Sequence, residues 1–391
     1  VVHVAVTDTL VLRFADVGVA TYASLRRVGD PGDTVTWVVD QADLLEAVDR
    51  LRRALPDPVG EETRRDALER ALTHGALSAP ATETGLAQAL GERLIAPQGW
   101  RLIAEAATVF VSPSARLAQV PWGLLAAPGG ERLMELADVL LAAPPNIVNA
   151  PRATANWSSR HDRPALLVLD PRVPGQRPDA ALGSVLGRPS PETALARHYA
   201  GRPVLPEVPA AVDLFRRTDI DRRWLAEHLA RQPSRLLYVG HASAADGDVG
   251  HADRAALHLA EDRPLTAADL MASRLPFPPR VALLACASGG DYQFDEASGL
   301  VAAAILGGAQ LVTATLWSLP TAAGYRQYTA LEADPMSEAI LAVDEAHETD
   351  EAGRALNAWQ RRRMRDWRDG DATASPLYWA ALVTFAVDGA R

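Results

Sequence analysis

Two short, almost wholly apolar runs set the strongest limit on what this chain can fold into. Leu236-Leu237-Tyr238-Val239 leads into Gly240-His241-Ala242-Ser243, and Val281-Ala282-Leu283-Leu284-Ala285 leads into Cys286-Ala287-Ser288-Gly289-Gly290. Each run has the length of a strand buried on both faces, the kind found inside parallel sheets covered by helices, and small residues mark the turn after it. Set side by side, these strands deliver His241 and Cys286 to one sheet edge. That edge is the C-terminal one, where open α/β sheets carry their chemistry.

The flanking pattern agrees with an α/β fold built on a mostly parallel sheet. In the second half, apolar runs at 165–169, 311–317 and 379–387 alternate with helical periodicity at 191–199 (capped by Ser190), 221–231, 321–331, 337–347 and 351–367. The first half predicts hairpins over 2–27, with a turn at Thr7-Asp8-Thr9, and a β-rich run at 34–39. Helices follow at 43–51 (capped by Asp40 or Asp43), 67–73 and 83–94, with strands at 107–111 and 139–142. Residues 144–163 are rich in Pro, Asn, Ser and Arg, which predicts a boundary between an N-terminal β-hairpin and helical region, 1–150, and a catalytic domain, 160–391. Residues 171–190, dense in Pro and Gly, are expected as a mobile surface loop. Residues 255–259 alternate like an edge strand, which would leave His258, and with it His251, at the surface. Trp224, Trp359 and Trp379 are expected in the core.

Composition excludes several functions. A net charge of −10 provides no electrostatic footprint for nucleic acid or an anionic membrane. A single cysteine rules out an intramolecular disulfide and a multi-thiolate metal site, so no cofactor is expected and a reduced, cytoplasmic setting is the default. No basic segment followed by an apolar core opens the sequence, so no secretory signal is expected. Residues 299–319 are apolar enough to resemble a membrane span, but Gln310 and the Gly307-Gly308 pair divide them into a helix at 298–306 and a buried strand at 311–316.

A thiol beside an imidazole is the minimum equipment of a cysteine nucleophile site. Cys286 would attack a peptide carbonyl, with His241 holding the thiol ionised or passing a proton to the departing amine. The backbone N–H groups of Cys286 and Ala242 are the candidate oxyanion donors. His241 lies 45 residues before Cys286. That order and spacing match the caspase arrangement, with its His roughly 50 residues upstream, and not the papain one. The residue six places after the cysteine is Tyr292, so a tyrosine-phosphatase loop is excluded, and there is no G-x-S-x-G elbow, Walker motif or dinucleotide-binding glycine pattern. Asp291, Asp295 and Glu296 form an acidic loop; were one of them to line the P1 pocket, a basic P1 residue would be favoured.

In this order the pieces resemble the CHAT-domain proteins, relatives of caspases and separases. That family has a His in a G-H-[GA] context, a strand ending S-A-C-x-T-G, a later strand closing near S-L-W, and a final Y-W-A-[AS]-F/L strand. Here they appear as Gly240-His241-Ala242, Leu284-Ala285-Cys286-Ala287-Ser288-Gly289, Thr315-Leu316-Trp317 and Tyr378-Trp379-Ala380-Ala381-Leu382. The helix start Ser298-Gly299-Leu300 and the stretch Val120-Pro121-Trp122-Gly123-Leu124-Leu125 are similar to further family pieces. Two positions depart: Ser288 stands where Thr is usual, and Ala242 where many members have Gly.

The resemblance implies a caspase-like sheet flanked by helices and a Cys286–His241 dyad. It also implies a regulated cysteine endopeptidase with a protein substrate and an activating protein partner, in a bacterial stress or defence system. Ser288, Asp295, Glu296 and Trp317 would then be candidate substrate contacts, although Trp317 reads more readily as core than as a contact. The competing class is a catalytically silent scaffold that keeps the caspase-like shape for protein binding. Acyl transfer to an acceptor other than water is a third reading.

Overall fold

A computed structural model describes residues 9–177, 182–243, 252–287 and 294–390, with backbone alone for Pro31, Ala252, Cys286, Ala287 and 294–298. The N-terminal part is an antiparallel meander: β1 (Thr9–Val17), β2 (Ala20–Arg27) and β3 (Asp30–Val39). Its first turn falls at Gly18, whose φ of 61° suits a residue without Cβ. The turn expected at 7–9 and the strand before it lie outside the described residues, apart from Thr9, which opens β1. An alternating pattern fixes which face a residue takes but leaves open where the chain reverses. The helix Gln41–Arg52 then starts on Asp40, whose carboxylate accepts from the Ala42 N–H at 2.8 Å.

The remaining strands are β4 (Thr108–Ser112), β5 (Asp138–Ala142), β6 (Ala165–Leu169), β7 (Val204–Leu205), β8 (Arg235–Ser243), β9 (Ala256–Leu257), β10 (Leu265–Thr266), β11 (Arg280–Ala287), β12 (Leu311–Thr315) and β13 (Leu382–Ala386). One sheet runs β10-β9-β8-β11-β12-β13-β5-β4-β1-β2-β3, with β6 and then β7 branching from β8. The central pairings β6–β8, β8–β11 and β11–β12 are parallel. All five residues of β6 and of β12 are buried, as are the first eight of β8, which requires cover on both faces. That cover includes the helices Phe294–Leu306 against β12 and Pro335–Ala346 against β11. The fold is therefore the expected α/β one, with a mostly parallel sheet flanked by helices. The sheet also runs unbroken from the N-terminal meander into the second half through the parallel β5–β13 pair.

Several local expectations are corrected. The helix expected at 191–199 is Ala194–Tyr199, capped by the Thr193 hydroxyl, while Ser190 caps only the turn before it. The final strand starts at Leu382, because Pro376 opens a helical turn, Pro376–Trp379, in front of it. β9 has only two residues and lies between β8 and β10, so the segment is not an edge, and His258 is 9% exposed rather than at the surface. His251 lies outside the described residues. Trp379 is buried, but Trp224 and Trp359 are only partly so. The stretch 299–319 does resolve into helix and strand, and among the described residues no helix is long and apolar enough to cross a membrane.

An internal ion pair fastens the N-terminal half. Arg132, 1% exposed, donates to both carboxylate oxygens of Glu83, 0% exposed, at 2.9 and 3.1 Å.

Candidate active site

The site begins with strand register. β8 and β11 pair in parallel from Arg235↔Arg280 onward, and counting six residues along both brings His241 opposite Cys286. The two expected reactive positions are thus direct cross-strand neighbours at the C-terminal ends of adjacent parallel strands. Cys286 is placed by its backbone alone.

The residue before the histidine must be small. A Cβ on Gly240 would sit 2.8 Å from the Tyr238 hydroxyl and 3.3 Å from Pro171 Cδ. That hydroxyl lies 2.6 Å from the His241 carbonyl oxygen and 3.0 Å from that of His258, tying β8 to the segment after β9. His258 itself is held neutral: burial, and then the nearby His241, push its imidazole pKa down to about 4.

His241 is 4% exposed, and its Nε2 lies 3.0 Å from the carbonyl oxygen of Gly183. A carbonyl only accepts, so Nε2 carries the proton and Nδ1 is the basic nitrogen of the neutral ring. Gly183 belongs to the stretch expected as a mobile surface loop, and its described part is anchored instead. Asp170, fully buried just past β6, accepts from Ser184 Oγ at 2.7 Å, from the N–H groups of Val185 and Leu186, and from Arg216 Nη1 at 3.2 Å. Arg216 Nη1 also donates to the Gly183 carbonyl at 2.9 Å. A chain of Asp170, Arg216 and Gly183 therefore orients the imidazole. Sequence reasoning missed all three; the signal present was a carboxylate directly following a buried strand.

His241 opens onto a cleft of about 470 Å³. One wall is Ser184 and Val185; another is the segment after β12, Ser318 to Thr321. A third comes from the N-terminal half, where Pro56, Arg64 and Leu68 face Ala323, Gly324 and Gln327. The helices Arg64–Thr73 and Ala322–Thr329 pack closely here, since a Cβ on Gly324 would lie 2.8 Å from Leu68 Cδ2. Trp317 is fully buried, with its indole N–H donated to the Leu377 carbonyl at 2.9 Å, so Ser318 and Leu319 face the cleft in its place. Ser288 and Asp291 lie outside the described residues. Asp295 and Glu296 sit in the first turn of the helix Phe294–Leu306, without described side chains. Ala242 is paired on both sides, with Ala287 and with Leu257.

The model of the CHAT domain matches residues 84–387, more than three quarters of the chain. The chain belongs to the CHAT domain family. The CHAT match includes both strands of the site and reaches back into the N-terminal half. No curated protein matches the sequence significantly. Among solved structures, the chain is similar to two crystal structures of the Saccharomyces cerevisiae separase–securin complex, with TM-scores of 0.48 and 0.49 at 11% identity. Each alignment covers 98% of this chain but only 30% of the other, so the chain spans under a third of the length of those proteins.

Proposed function

We propose that this CHAT domain is a cysteine endopeptidase acting through Cys286 and His241. The observation that carries the reading is the register that sets Cys286 opposite His241, beside a cleft onto which the histidine opens. The Cys286 thiolate attacks the peptide carbonyl, forming a C–S bond and an oxyanion. The backbone N–H of Cys286 is assigned to the oxyanion, and that of Ala242 serves as a second donor only once it leaves its pairing with Ala287. His241 Nδ1, which takes the proton of the Cys286 thiol as the thiolate forms, delivers it to the departing amine as the C–N bond breaks. Water, deprotonated by His241, then releases the acyl group as a carboxylate and restores the thiol. Residues 160–391 are assigned as the catalytic domain, and 1–150 as the region that closes one side of the cleft. A specific protein substrate, an activating protein partner and a bacterial stress or defence setting are carried over from the family resemblance, and a cytoplasmic setting from the single cysteine.

One observation favours a scaffold instead: His241 is only 4% exposed. Incubating wild type and Cys286→Ala with candidate partner proteins separates the two readings. Fragments that appear with wild type alone support the peptidase; identical band patterns from both remove it.

A further inference from the structure

Among the described residues, the cleft beside His241 carries a positive charge without a neutralising partner. The helix Arg64–Thr73 has three arginines, two of which are occupied in the fold. Arg65 donates to the Tyr328 hydroxyl at 3.3 Å. Arg70 donates to Glu62 and to the carbonyls of Leu55 and Asp57. The Arg64 guanidinium makes no hydrogen bond or ion pair among the described residues; it is half-buried and lines the same cleft as His241. No carboxylate among the described residues lines that cleft, in a chain whose net charge is −10. Helix stability does not explain a cation there, because Arg64 is the first residue of its helix, where the dipole favours negative charge. Across the Leu68–Gly324 contact, the exposed amide of Gln327 adds a second hydrogen-bonding group to the same wall. A guanidinium and an amide lining one cleft suit a carboxylate, whose oxygens accept from such donors.

We infer that Arg64 is a specificity-determining residue that reads an aspartate or glutamate side chain of the substrate polypeptide, a few residues from the bond cleaved at Cys286. The inference rests on the peptidase reading. It assigns the N-terminal helix a direct part in substrate choice, and it selects a charge opposite to the one that the acidic residues Asp291, Asp295 and Glu296 would select in whatever subsite they line.

The test has two arms. In the first, a proteome-derived peptide library is incubated with wild type, Arg64→Lys and Arg64→Glu, and the cut sites are mapped by mass spectrometry. Asp or Glu should be enriched on the order of tenfold at one fixed position with wild type. The enrichment should be weaker with Arg64→Lys and absent or reversed with Arg64→Glu. Cleavage without acidic enrichment, or the same enrichment in Arg64→Glu, overturns the inference. The second arm needs no turnover. Fluorescein-labelled random nonapeptides rich in Glu, and a matched Gln-rich set, are titrated against Cys286→Ala with and without Arg64→Glu. Tighter binding of the Glu set that disappears with Arg64→Glu supports the assignment; equal binding of both sets overturns it. If wild type cuts nothing in the first arm, the peptidase reading loses its support while the binding arm still decides the role of Arg64.

Discussion

His241 Nε2 sits 3.0 Å from the carbonyl oxygen of Gly183, a residue 58 positions earlier in the chain, and this contact fixes which ring nitrogen is left unprotonated in the neutral ring. A backbone acceptor does the orienting that a carboxylate does in a Ser-His-Asp triad. The ring therefore needs the loop that carries Gly183 to stay in place, and that loop is held by a buried carboxylate.

Replacing Asp170 with Ala is expected to lower kcat/KM by about 10- to 100-fold, the scale on which lost alignment acts. The Arg216 guanidinium and the N–H groups of Val185 and Leu186 would lose their acceptor. The check is the pH profile of cleavage beside thermal unfolding. A loss of stability with an unchanged pH–rate profile would mean that Asp170 supports the fold alone.

With one cysteine in the chain, any thiol label reports on Cys286. Its alkylation by iodoacetamide at pH 7 should be about 10-fold slower in His241→Ala, because a thiol without an adjacent base is mostly protonated at that pH. Equal rates in the two proteins would show that the imidazole does not activate the sulfur.

Glu83→Ala is expected to destabilise the chain by about 3–5 kcal/mol, since it strands the buried Arg132 charge. The double variant Glu83→Leu/Arg132→Met should recover most of that loss, because it removes both desolvated groups at once. Denaturant unfolding of the three proteins measures both effects. A small loss in the single variant would show that water reaches Arg132.

Stability should also fall as the solution is acidified from pH 7 to 5. His347 is buried, its Nε2 lies 2.8 Å from Thr313 Oγ1, and burial, then Arg280 and Arg235, push its pKa down to about 3. The unfolded chain takes up a proton near pH 6.5 and the folded chain does not, so this contribution is whole above pH 6.5 and is lost below it. The loss amounts to about 2 kcal/mol by pH 5. His258, lowered to about 4, adds a similar slope over the same interval. Urea titrations at several pH values should show the fall, reduced by about half in His347→Gln. A flat profile from pH 7 to 5 would mean that both rings take up protons in the folded state.

Most of the central sheet was legible because its strands announce themselves. The runs at β6, β8, β11 and β12 are apolar without alternation, and no other element of that length tolerates burial on both faces. Asp40 was readable as a helix start because a cap is a local hydrogen bond. The Gly183 carbonyl was not legible, since any residue supplies a carbonyl and only its placement makes it an acceptor for His241. Arg64 carries no motif either; it reaches the cleft because its helix packs against Gly324, on the far side of the chain.

By itself, the sequence determined the central strands and the longer helices of the second half, the pairing of a thiol-bearing strand with an imidazole-bearing one, and the family. Those features are set by local periodicity and by the order of short motifs. Only the tertiary structure decided how the imidazole is oriented, that an N-terminal helix walls the cleft, and that one sheet joins both halves. Such facts depend on contacts between residues dozens to hundreds of positions apart, and no local pattern encodes a distance across the fold.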